Sequence, residues 1–256
     1  AGSRRPESDI SGSGSYVDRR TLNSTGSNAM LTVSGVTIKN NVCRYAGGGI
    51  WIGHGGTLYM SSGTISGNIA VEEGGGGIRC NAGSEGSCGG VVCLGSPGGQ
   101  AWIAGGSIYS NSANTNGGGI TAPNNDDPNN KVTVSGGSIY SNTAKNNGGG
   151  IYNATKLIIS GGNIYKNTSS VNGGGVYLTG DGSINMSDGK IYSNTATSSG
   201  GGIYLTAAGP AGTVSGGSIY SNKAEYGGGI CTYRLKGLTL SNVNVYNNTA
   251  TATGGG

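Results

Sequence analysis

Apolar residues in this chain come in runs of four or five, set apart by glycine, serine and asparagine. One run, Ser138-Ile139-Tyr140-Ser141-Asn142, recurs letter for letter at 218–222. With its isoleucine as phase marker, the equivalents are Ile38, Ile65, Ile108, Ile139, Ile164, Ile191, Ile219 and Val245. The steps between them are 27, 43, 31, 25, 27, 28 and 26 residues. Another apolar residue stands five before each marker: Val33, Met60, Ile103, Val134, Ile159, Met186, Val214 and Leu240. Three after each marker stands an asparagine: Asn41, Asn68, Asn111, Asn142, Asn167, Asn194, Asn222 and Asn248. A glycine triplet and an apolar residue follow further on, ending at Ile50, Ile78, Ile120, Ile151, Val176, Ile203 and Ile230.

Runs this short, rich in β-branched residues and tyrosine and bounded by turn formers, predict strands. No stretch holds helical spacing over a useful length. Each repeat therefore reads as three strands, GGGIY, LTVSG and SIYSN, in about 27 residues. That suits one coil of a parallel β-helix whose strands pair with their equivalents about 4.8 Å away. About eight coils make an all-β rod on the order of 40 Å long. The marker isoleucines and their apolar partners fill its core, and a column of small residues from Ala70 to Ala250 sits where the coil is narrow. The asparagines form a ladder at one corner, where an amide supplies both donor and acceptor. The glycine triplets turn a second corner. Residues 1–30 read as an arm or irregular first coil and 31–256 as the repeats, with insertions at about 79–102 and 121–131.

Composition narrows the class. The chain holds 56 glycines in 256 residues without collagen's triplet period, no phenylalanine and 10% charged residues. A net charge of +4, concentrated only at Arg4, Arg5, Arg19 and Arg20, lacks the basic stripe of a nucleic-acid binder. No window approaches the roughly 20 apolar residues of a spanning helix. The chain starts at Ala1, as does a secreted chain trimmed of its signal or a fragment, so an extracellular or cell-surface setting is expected.

The GGGI and IYSN motifs, in phase from about Leu31 to Gly256, resemble the GGA[I/L/V] and FxxN repeats of polymorphic outer-membrane proteins. They are similar also to adhesin-like right-handed β-helix proteins of bacteria and archaea. The resemblance implies a right-handed parallel β-helix serving as stalk, adhesin or surface coat.

Chemistry is sparse by comparison. The glycine triplets lack the Lys-Ser/Thr of a phosphate loop. Eleven carboxylates are mostly single and out of phase, which argues against the paired acids of a polysaccharide hydrolase. Asp126 and Asp127, in an oxygen-rich insertion, are the one weak calcium candidate; no other cofactor or metal is expected. His54 reads as a surface turn residue. Cys80, Cys88 and Cys93 cluster in an insertion and predict a local disulfide in an oxidising setting. Cys43 falls in the small-residue column as a buried thiol, and Cys231 points outward, where an intermolecular disulfide is one role. Of five sequons, at Asn23, Asn153, Asn167, Asn185 and Asn247, Asn23 and Asn153 fall in presumed loops and are the expected glycosylation sites.

Alternation turns Tyr109, Tyr140, Tyr165, Tyr192, Tyr220 and Tyr246 outward as one stripe. Such a stripe stabilises the sheet, or contacts glycans or a neighbouring subunit. Finally, Gly254-Gly255-Gly256 stops one residue short of the next apolar position, while Tyr16-Val17 follows a degenerate glycine corner. Two expectations compete: a piece of a longer adhesin, or a subunit that stacks on copies of itself head to tail. The function expected is accordingly structural and non-catalytic, a filament or surface-layer subunit or adhesin stalk, with glycan binding or processing as the alternative.

Overall fold

The chain winds into an all-β parallel solenoid in the computed structural model, which describes residues 15–17, 30–43, 48–52, 56–71, 92–94, 99–122, 130–207, 212–234 and 237–256. Among these residues every strand pairing is parallel, coil upon coil. The coil from 148 to 172 shows the path. Gly148, Gly149 and Gly150 turn the chain into strand Ile151–Asn153, which lies between Ile120–Ala122 and Val176–Gly180. Lys156–Tyr165 then crosses a broad face beside Ser183–Tyr192. Lys166 and Asn167 make the next corner, and Thr168–Ser169 forms a narrow third face.

Three faces were expected and three sheets form, but they divide the repeat differently. The LTVSG and SIYSN segments share one sheet of 14 strands. They fuse into single ten-residue strands at Lys156–Tyr165 and Ser183–Tyr192. The glycine pair between them makes a bulge with shifted register at Ser160, not a corner. The third face is instead the strand after each ladder asparagine, two residues long up to Thr195–Ala196 and so too short there to show alternation in sequence, and longer only at Lys223–Tyr226 and Thr249–Thr253.

The coil count also differs. The regular winding comprises about six turns of about 27 residues, although two of the sheets each stack eight strands. Eight stacked strands enclose seven steps, and one of those steps swells to 43 residues.

Packing follows the columns. The marker isoleucines from Ile65 to Ile219 are at most 1% exposed, and Val33 to Val214 at most 2%. Each inward residue meets its own kind from the coils above and below, so a branched side chain fills the same space repeatedly. The small column holds Ala70, Ala113, Ala144, Ala196 and Ala224, all buried, with Cys43 in register with Ala70. Ser169 interrupts this column, and its buried hydroxyl finds no hydrogen-bond partner.

Strands Val92–Leu94 and Gln100–Ile103 already belong to the stack, as do Ile120–Ala122 and Lys131–Val134. At the start of the stack Ser15–Val17 pairs with Ile50–Ile52, so Tyr16 and Val17 occupy the register of Trp51 and Ile52. At its other end Gly228 and Gly229 donate their N–H groups to the carbonyls of Gly254 and Gly255.

Candidate functional site

What the coils repeat is a set of surface and corner columns, and any site must be made of those. The asparagine corner is the most fully bonded. Asn68 through Asn222 are at most 1% exposed. Each Nδ2 donates one hydrogen to the Oδ1 of the next coil's asparagine, at 2.9–3.1 Å. The second hydrogen goes to the preceding coil's isoleucine carbonyl, as from Asn167 to Ile139 at 2.9 Å. Each Oδ1 also accepts the previous asparagine's backbone N–H, as Asn167 does from Asn142 at 3.0 Å. Both donors and both lone-pair directions are used, which removes the penalty for burying an amide.

The residue before each ladder asparagine is left-handed. Asn40, Ser110, Ser141, Lys166, Ser193, Ser221 and Asn247 have φ of 53–57°, and Gly67 takes that place in the remaining coil. Asparagine and glycine tolerate this backbone, whereas serine and lysine carry a cost of about 1 kcal/mol each.

A second amide ladder stands beside the glycine corner. The Asn147 N–H and Nδ2 donate to Asn116 Oδ1 at 3.1 and 3.2 Å, Asn172 N–H donates to Asn147 Oδ1, and Ser199 N–H donates to Asn172 Oδ1. Its bonds point back along the chain, opposite to the main ladder. The sequence signal, an asparagine directly before Gly117, Gly148 and Gly173, spans only three coils.

Tyrosine forms two stacks. Tyr109, Tyr140, Tyr165, Tyr192, Tyr220 and Tyr246 stack with centroids 4.8–4.9 Å apart and planes within 1–7°. In-register parallel pairing dictates that spacing. On another face Tyr152, Tyr177 and Tyr204 stack at 5.3 Å and 11°. Within each stack the ring faces cover one another. Solvent therefore meets ring edges and hydroxyls, whereas a sugar ring stacks on an open aromatic face. Tyr59 and Trp102 meet edge to face at 5.9 Å, and the Trp102 Nε1–H donates to Ser135 Oγ.

Burial pushes the Tyr152 phenol up to about 12, with the neighbouring Tyr177 adding to the effect. Tyr140, Tyr192 and Tyr220 are also raised, by burial first and by their stacked neighbours second. Cys231 follows Tyr204 in its column as a free, half-buried thiol. Burial raises its pKa against a hydrogen bond with Ser199, which keeps it mostly in the thiol form.

No protein-family model, curated protein or solved structure matches this chain. The site is therefore read from its own residues.

Asn153 does not stand in a loop. It ends strand Ile151–Asn153, fully buried in the column of Leu178 and Leu205, with its Nδ2 on the Thr155 carbonyl at 2.6 Å and its Oδ1 accepting from Thr155 Oγ1. The amide nitrogen a glycan would need is committed inside the protein. Among the described residues the sequons that reach the surface are those at Asn185 and Asn247, both exposed. Asn23, His54, Cys80, Cys88, Asp126 and Asp127 lie outside the described residues, and Cys43 and Cys93 are described as strand positions alone. Among the described residues no three His, Cys, Asp or Glu gather to hold a metal, and no helix is long and apolar enough to cross a membrane.

Proposed function

We propose that this solenoid is a non-catalytic structural element of an extracellular or cell-surface assembly: a filament or surface-layer subunit, or an adhesin stalk. The observation that carries the reading is the in-register repetition of the same columns, coil upon coil. Asn248 keeps ladder geometry, with its Nδ2 on the Ile219 carbonyl at 2.9 Å. Each coil's parallel edges are complemented by a further coil of the same kind. Head-to-tail stacking of copies supplies that coil and gives an open fibre.

A repeated set of side chains also suits a load-bearing lattice, whereas catalysis needs unlike groups converging at one point. The GGGI and IYSN motifs carry the kinship with adhesin-like repeats within this reading.

Electron microscopy and fibre diffraction of the purified protein test it. Straight filaments with an axial reflection near 4.8 Å are expected. Dispersed single rods at all concentrations would overturn head-to-tail assembly.

A further inference from the structure

The six-ring tyrosine ladder has a property that packing does not require. Its rings make an unbroken series from Tyr109 to Tyr246, roughly 24 Å long at one strand spacing per step. Every neighbouring pair is in face contact with nearly parallel planes, so their π orbitals overlap. The first five tyrosines are only partly covered by protein and Tyr246 is exposed, so the phenol groups remain within reach of water. The tyrosines from Tyr109 to Tyr220 are identical side chains, all half-buried, so their oxidation potentials lie close together and no step among them is strongly uphill.

We propose that this ladder relays an electron hole along the rod, with an outer-sphere one-electron oxidant, such as a peroxide-derived radical, as its substrate. The oxidant gains one electron from a ladder phenol, whose proton passes to water, leaving a neutral phenoxyl radical. That radical takes an electron from the adjacent phenol and a proton from water, while the donor's own proton leaves to water. The net result of each step is one hydrogen equivalent exchanged and the radical moved by one ring. Phenols are protonated at neutral pH, so every step is the same exchange. The second stack, from Tyr152 to Tyr204, lies on a different sheet and is a separate, shorter path.

The relay needs only one folded chain and is independent of assembly. Its test replaces Tyr246 with ortho-aminotyrosine, an easily oxidised analogue that acts as a sink at one end. A light flash on ruthenium tris-bipyridine with persulfate generates the oxidant, and the aminotyrosyl radical is followed by its absorbance and electron spin resonance. Against this background Tyr140→Phe, Tyr165→Phe and Tyr192→Phe each keep the stacked ring but remove the oxidisable phenol.

The sink yield is expected to fall stepwise as the phenylalanine moves toward position 246. Tyr165→Phe should roughly halve it, because half of the ladder is then cut off. Tyr59→Phe, off the ladder, leaves it unchanged. Circular dichroism and the melting temperature confirm that each variant keeps the fold. Yields that match the parent, or that ignore the position of the cut, overturn the relay. A variant that unfolds is replaced by Tyr→Leu at the same position, for which the same drop is expected.

Discussion

Two of the corners of each coil solve one problem by opposite means. At the asparagine corner a side chain is brought inside and all its polar atoms are bonded. At the glycine corner side chains are dispensed with, and backbone packs on backbone. A Cβ on Gly149 would stand 2.5 Å from the carbonyl oxygens of both Gly174 and Thr168. The comparison teaches that a tight turn in a stacked fold is held either by a specific hydrogen-bond set or by steric exclusion, and the two fail differently. A lost ladder amide leaves orphaned partners, whereas an added methyl forces coils apart.

The sharpest way to break the comparison is Gly149→Ala. Its methyl meets only backbone, which has no rotamer to yield, and a loss of about 4 kcal/mol or more is expected in denaturant unfolding. Asn167→Ala should cost less, about 3 kcal/mol, because it strands the Asn142 N–H and Nδ2 and the Ile139 carbonyl without adding bulk. If the asparagine variant proved the worse of the two, steric exclusion would not be the stronger constraint.

A titration separates the corners further, since Tyr152 lies just past the glycine corner and Tyr140 just before the asparagine corner. The Tyr152 phenol, near 10 when unfolded and about 12 when folded, favours the folded state as long as it stays protonated. Its contribution is complete below pH 10 and is lost as pH rises toward 12, on the order of 2–3 kcal/mol. Tyr152→Phe should flatten that part of the stability profile, measured by denaturant midpoints. The smallest effect concerns the left-handed position: Ser193→Gly should gain about 0.5 kcal/mol, the relief of φ offset by glycine's greater freedom when unfolded. A loss there would mean that the serine side chain contributes a contact outweighing its backbone strain.

The repeat, the core columns and the main asparagine ladder were legible because each recurs at fixed offsets from the markers. The division into faces was not. A two-residue strand such as Thr143–Ala144 has no alternation to read, and a glycine pair looks the same whether it makes a bulge or a corner. The short amide ladder escaped notice because Asn116, Asn147 and Asn172 give way to Ser199 after three coils. The second tyrosine column was legible as an outward position, since Tyr152, Tyr177 and Tyr204 each follow a glycine triplet and an apolar residue and Cys231 takes that place in the next coil. Asn153 was misplaced because a sequon is a local pattern, whereas its burial follows from standing in register with Leu178 in the next coil.

The unequal steps carry a last consequence. Ile65 and Ile108 are 43 residues apart and Ile139 and Ile164 only 25, yet both pairs meet in the same register. The stack counts turns and is indifferent to how much chain is spent between them. Extra chain between two strands is therefore tolerated wherever the strands on either side keep their register. A foreign peptide, an epitope or an enzyme domain grafted there changes the cargo of the rod without changing its lattice.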